Sequence, residues 1–491
     1  MPLPTTDALP LGHRPAASPP PGPAPPRWAR MPRGDAYALA AGFFLVYVAL
    51  SVTRYRAYGN LSWDLGIFEQ VVRSYAHLRA PVADLKGPGY RALGDHFSPV
   101  TALIAPLYRL FPSPVTLLVV QAALFAVSVV PVTRCAGLFL GRAQGAAIGA
   151  AYGLSWGVQR AVDFDFHEIC FAVPLLAFAL EALLRERWWA ALCWGLPLLL
   201  VKEDLGLTLA ALALLVAARA ARLGARRAAA AALAVAAGAV LACALITAVL
   251  IPAFNTSGHY DYWSKVSHEG GPLHTMASVA FAAADQKLRT LAWVLLPTTG
   301  LLALRSPLPL LALPTLAWRF LGDDPHYWGT DWHYSAVLMP VVFLALVDAL
   351  PRGLRSPRPW LRGYARHLPL AVLAAALALS TTLPVAGLTH ADTYRAGQAA
   401  AAGDRVLAAV PDGARVAANV RPIAHLTGRC RVFWIGDTTA GPGYPGHPDY
   451  VAYYDAAQTT SGLLAHAAAL YPGTAWELLA AEDGFWVLRR R

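Results

Sequence analysis

The chain has 491 residues, 57% of them hydrophobic and only 14% charged, with a mean hydropathy of +0.45. A soluble domain carries about 25% charged residues, so a soluble globular protein is excluded and a polytopic membrane protein is implied. The net charge of +11 does not mark a nucleic-acid binder, because the arginines cluster between apolar runs instead of forming a basic stripe with interleaved aromatics.

Residues 1–35 are Pro-rich without an apolar core and read as a disordered cytoplasmic tail, not a cleavable signal. The first span is expected near 36–53. Arg27, Arg30 and Arg33 precede it, which places the N-terminus in the cytoplasm and the loop 60–99 outside. That loop reads NLSWDLGIFEQ and then VADLKGPGYRALGDHFSP, and it carries Asp64, Glu69, Asp84, Asp95 and His96 beside aromatic, Pro and Gly residues. Residues 97–111 are apolar but short and broken by Pro99 and Pro106, so they read as an interfacial or re-entrant helix.

The run 114–133 crosses inward to Arg134 and Arg142. The run 143–157 crosses outward and delivers an acidic knot, Asp163-Phe164-Asp165-Phe166-His167-Glu168. Residues 169–184 return to Arg185 and Arg187. Two runs, 188–201 and 205–218, flank Lys202-Glu203-Asp204 at the outer surface. After the basic segment 219–227, residues 228–251 lead to an outer loop with His259, Asp261, Lys265, His268 and Glu269. A hairpin at 290–304 and 307–320, the loop GDDPHYWGTDWHYS, and spans at 336–350 and 368–388 complete a transmembrane domain over 36–388.

About eleven spans are expected in all, with Arg-rich inner turns. Twelve of the fourteen histidines, all but His13 and His367, then fall outside with nearly all the loop carboxylates. Residues 389–491 read as a small extracytoplasmic α/β domain, with strands at ARVAANV and CRVFWIG and helices at 404–410 and 460–470. The five cysteines form no CxxC pair, so neither a disulfide framework nor a zinc knuckle is expected.

Asp64, set among Trp63, Ile67 and Phe68 just beyond a span, is a candidate general base, since partial desolvation raises carboxylate basicity. The blander reading makes Ser62 or Asp64 the cap of the helix that follows. In the second knot, Asp163 and Asp165 can share a divalent ion, with His167 and Glu168 extending the shell, and such oxygen-rich sets suit magnesium or manganese. The alternative there is a solvated connector. Lys202 is placed to hold a lipid phosphate at headgroup level, or else to snorkel from a tight turn.

The segments SWDLGIFEQ, LGDHFSPVTALIAPLY, FDFHEICFAVPLLAFALEA, LLLVKEDLGL, HYSAVLMPVVFLAL, VAANVRPIAHLTGRCRVF and HPDYVAYYD, in that order, resemble the polytopic family called domain of unknown function 2079, from about residue 36 to 455. That family resembles the GT-C superfamily of membrane glycosyltransferases. The resemblance implies an α-helical multi-span fold and a sugar donor linked to polyprenyl phosphate. Asp64 takes the place of the first-loop acid, Asp163 and Asp165 that of the second-loop DxD, and Glu269 that of a later-loop acid. The chain departs from members with a paired Asp-Glu, because Leu65 follows Asp64.

The resulting expectation is a bacterial plasma-membrane glycosyltransferase with Asp64 as base. Lys202, Arg160, Glu69, Asp95, His96, His167 and Glu203 are expected around the lipid-linked sugar, and Asp163, Asp165, Glu168 and Glu269 around a divalent ion. The rivals are a transporter or flippase of a lipid-linked solute, and a non-catalytic membrane scaffold.

Overall fold

The computed structural model describes residues 33–59, 62–265, 278–395, 397–436 and 446–491, so nearly all of the expected N-terminal tail lies outside them. Helix α1 (Arg33–Arg56) has Asp35 in its first turn and Arg54 and Arg56 in its last, the charge order the helix dipole favours. The first loop folds into α2 (Asp64–Ala76) and α3 (Ala105–Leu110), the latter behind a 3-10 turn at Pro99–Ile104. The 97–111 stretch is thus a pair of short pieces, as its two prolines predict.

Helix α4 (Pro114–Leu140) starts on Ser113, whose side chain accepts the Val115 N–H at 3.3 Å. Its 27 residues extend about 40 Å, ample for a bilayer. Then come α5 (Arg142–Gly153), α6 (Trp156–Phe164), α7 (Ala172–Leu184), α8 (Trp188–Gly195), α9 (Leu205–Arg222) and α10 (Arg226–Leu245). Further on lie helices Ala284–Thr299, Leu338–Leu354 and Pro359–Ser380. Helices α1 and α5 approach closely at Gly153, where an added Cβ would lie 2.2 Å from the Phe43 ring.

Among the described residues six helices are long and apolar enough to cross a membrane. Other apolar runs are shorter, such as Trp188–Leu200 and Leu308–Leu321, where Pro197, Pro309 and Pro314 interrupt the backbone bonding. The helices turn over their arginines at one end of the bundle. Arg142 reaches Asp35 at 2.6 Å, Arg134 pairs with Glu181, and Arg219 and Arg352 meet Asp348 at 3.0 and 2.7 Å. Just before α9, at its other end, Glu203 meets His96 and Phe97 of the first loop at 2.7 and 3.1 Å.

The C-terminal part forms a five-stranded sheet in the order β2-β1-β3-β5-β4. Strand β1 (Arg415–Ala418) runs parallel to β2 (Arg431–Trp434) and β3 (Tyr450–Tyr454), while β4 (Trp476–Glu482) and β5 (Phe485–Arg490) continue antiparallel. The domain sits on the first loop. Ile67, Val71 and Leu85 of that loop share one apolar cluster with Val416, Ile423, Val432 and Phe485. Arg431 closes the joint with two bonds to Asp84, at 2.7 and 2.9 Å.

Candidate active site

The turn before α2 positions the first carboxylate. The Ser62 hydroxyl accepts the Asp64 N–H at 3.0 Å and donates to Asp165 Oδ2 at 3.2 Å. Asp64 is the first residue of α2, and Ser62 rather than the Asp64 carboxylate takes the N–H at that end of the helix. Asp64 lines a cavity of about 460 Å³ at the loop end of the bundle. Burial pushes its pKa up, Glu168 adds to the rise, and His167 and Lys86 only partly oppose it. Trp63, also on the cavity wall, meets Trp434 of β2 edge-on at 4.7 Å, which places the C-terminal domain beside the site.

The facing wall is the 202–204 triplet between α8 and α9. Buried Lys202 points its ammonium at Glu168, 3.5 Å away, and Glu168 also lies 2.8 Å from His167 Nδ1. Burial alone would neutralise these groups. His167 and Lys202 instead hold Glu168 well below the usual carboxylate range, and the neighbouring acids hold Lys202 firmly protonated. Glu203 is closed by His96 Nδ1 at 2.7 Å, the Tyr260 hydroxyl at 2.9 Å and the Phe97 N–H at 3.1 Å. Against burial, His96 and Lys202 bring it to about 2. Asp204 differs: burial pushes it up to about 6, and its Oδ1 has no hydrogen-bond partner.

Lys86 is the second cation on the cavity, paired with Asp95. The later loops supply aromatic walls, with Tyr260 and Tyr262 from one, and His326, Tyr327, His333 and Tyr334 from the other. His333 stacks on His167 at 3.7 Å between ring centres. Lys86 is not among the residues singled out from sequence. A signal for Lys86 was present: only four of the forty basic side chains are lysines, and Lys86 and Lys202 are two of them.

Of the residues singled out from sequence, Asp64, Asp95, His96, His167, Lys202 and Glu203 line this one cavity, and Glu168 braces it through His167 and Lys202. The others do not join them. Glu69 is turned into the joint with the C-terminal domain, where the Tyr108 hydroxyl donates to it at 2.8 Å and the Thr427 hydroxyl donates to its other oxygen. Burial there pushes it up to about 7. Asp163 and Asp165 line a separate recess with Ser51, Arg54 and Tyr55, because Arg54 of α1 captures Asp163 at 2.7 Å. The expected single pocket is therefore two, divided by the Ser62 turn. Arg160 lines neither; it stands on a further hollow that shares Arg54 and Asp163 with the recess, and lies 3.5 Å from Asp331.

Glu269 lies outside the described residues. Among the described residues no group of three or more His, Cys, Asp or Glu side chains is arranged to hold a metal ion. Of the residues expected around a magnesium or manganese ion, Asp163 faces Arg54 at 2.7 Å and Glu168 faces Lys202 at 3.5 Å.

An apolar helical bundle, with a charged and aromatic cavity at its loop end and an α/β domain packed beside it, defines a polytopic α-helical membrane protein. The chain belongs to the family described as predicted membrane protein (DUF2079), which it matches over residues 58–484. Its fold is similar to that of ArnT from Cupriavidus metallidurans bound to undecaprenyl phosphate, with a TM-score of 0.53 and 15% identity over 92% of this chain and 97% of that one. The same ArnT in the apo state gives 0.50 and 14% identity, over 91% and 98%. No curated protein sequence matches the chain.

Proposed function

We propose that this protein is an inverting membrane glycosyltransferase that moves a sugar from a polyprenyl-phosphate donor to an acceptor at the outer face of the bacterial plasma membrane. The observation that carries the reading is the convergence of Asp64, Lys86 and Lys202 on one cavity at the end of the apolar helices. Lys202 and Lys86 provide charge for a phosphate at that level, and the tyrosines and Trp63 provide faces for a sugar ring. The likeness to the undecaprenyl-phosphate-bound ArnT fold supports a polyprenyl lipid as the donor carrier.

In the step proposed, the acceptor oxygen attacks the anomeric carbon and a new C–O bond forms. The bond from that carbon to the phosphate oxygen breaks, and polyprenyl phosphate leaves with the electron pair. Asp64 takes the acceptor's proton, and its raised pKa suits it to do so. Lys202, fixed by Glu168, stabilises the charge growing on the leaving phosphate. General-base help of this kind contributes roughly 10²–10⁴-fold.

The test is to incubate the purified protein with a panel of polyprenyl-phosphate sugars. Cleavage that releases polyprenyl phosphate in step with transferred sugar is expected. Binding or translocation of the intact lipid-linked sugar, without cleavage by any donor and acceptor pair, identifies a transporter and rejects the reading.

A further inference from the structure

A third polar hollow shares Arg54 and Asp163 with the Asp163–Asp165 recess. It is a wide trough of about 670 Å³ where the loop ends of α1, α6 and helix Pro359–Ser380 come together. Arg54, Arg160 and Arg395 stand on it, with Asp163 and the threonines Thr382 and Thr393.

These three guanidinium groups differ from others on the same face of the protein. Arg415 and Arg431 are each closed by two bonds to a single carboxylate, Asp449 and Asp84 respectively. Arg54 gives Asp163 one bond, Nη1 to Oδ1 at 2.7 Å, and its buried Nε has no hydrogen-bond partner among the described residues. Arg160 comes no nearer to a carboxylate than 3.5 Å, at Asp331. Arg395 makes a single 3.4 Å bond to Asp392, with both side chains largely exposed. Guanidinium forks with unmade bonds match the several oxygens of a phosphate better than a single carboxylate does.

The setting selects the kind of phosphate. The trough sits at the ends of two membrane-length helices whose apolar windows are only 33% and 28% buried within the protein, and Leu377 in the last turn of the second is exposed. An acyl chain can lie along those surfaces while its headgroup rests in the trough.

We propose that this trough is a binding site for the phosphate headgroup of an anionic membrane lipid, separate from the Asp64 cavity. The site goes beyond glycosyl transfer and does not depend on it.

The experiment uses the full-length protein in detergent, with phosphatidylglycerol retention read by native mass spectrometry. Phosphatidylcholine serves as the zwitterionic control and glycerol 3-phosphate as the water-soluble competitor. The wild type is expected to retain phosphatidylglycerol over phosphatidylcholine. Retention should fall at least tenfold in Arg160→Gln/Arg395→Gln and stay at the wild-type level in Lys86→Met, whose side chain lines the other cavity. The single variant Arg395→Gln, at an exposed position with one weak bond, should lose retention in the same direction and guards against misfolding. Wild-type retention in the double variant, or loss only in Lys86→Met, overturns the site. Displacement of the lipid by an equal concentration of glycerol 3-phosphate overturns the assignment to a lipid and points to a free phosphate ester.

Discussion

Replacing Lys202 with methionine tests the phosphate-holding role proposed for it against its contact with Glu168. Lys202 is 9% exposed and Glu168 is fully buried, with 3.5 Å between their charged atoms. Two unit charges at that distance attract by about 5 kcal/mol at an effective dielectric constant of about 20, and breaking a buried pair from one side costs about 3–5 kcal/mol. His167 stays 2.8 Å from Glu168 in the variant, which places the expected destabilisation at the lower end of that range. Thermal unfolding in detergent, alongside donor cleavage, should show Lys202→Met both less stable and inactive. Adding Glu168→Gln removes the uncompensated charge, so the double variant should regain most of the stability and none of the cleavage. Recovery of cleavage in the double variant would show that Lys202 serves only Glu168, and the phosphate-binding role would be wrong.

Two further outcomes follow from the same geometry. Lys86 lines the cavity and pairs with Asp95, with 23% and 15% of the two side chains exposed, so Lys86→Met should lower the melting temperature less than Lys202→Met does while raising the KM for the lipid-linked donor about tenfold or more, measured by steady-state cleavage; an unchanged KM contradicts its place on the donor. Glu69, pushed up to about 7 from an ordinary 4.5, holds a proton in the folded protein that the unfolded chain releases in between. Stability should therefore be gained as pH falls from about 7 toward 4.5 and lost as it rises through 7. Melting curves at pH 5.5 and 8.5 should show that slope in the wild type and a flatter one in Glu69→Gln, and an equal slope in both discards the assignment.

The parts of the site that were legible in the sequence are those where a charge interrupts hydrocarbon. Lys202 and Glu203 break an apolar stretch, and Asp64 and His96 stand beside aromatics just past a span; such placements are too costly to be incidental in a membrane. What the sequence did not disclose depends on distant partners. Nothing near Asp163 announces that Arg54, 109 positions earlier, will neutralise it and draw it out of the cavity, and nothing near Glu69 announces Thr427. In the C-terminal domain, β1 and β2 stood out as compact apolar runs. Tyr450–Tyr454 and Trp476–Glu482 did not, since β3 mixes tyrosines with small residues and β4 lies at the sheet edge with much of its length exposed. Prolines in 196–200 and 308–314 break the apolar runs there into short 3-10 and helical pieces, which blurs any span count made from hydropathy.

The most direct measurement is transfer by the Asp64→Asn protein, purified and reconstituted beside the wild type, with a polyprenyl-phosphate sugar that the wild type cleaves. The amide keeps the shape of the carboxylate and cannot take the acceptor's proton. Transfer should drop by roughly 10²–10⁴-fold at unchanged folding and donor binding, with the wild-type product inverted at the anomeric carbon by NMR. Wild-type rates in Asp64→Asn, or a product with retained configuration, would contradict the account.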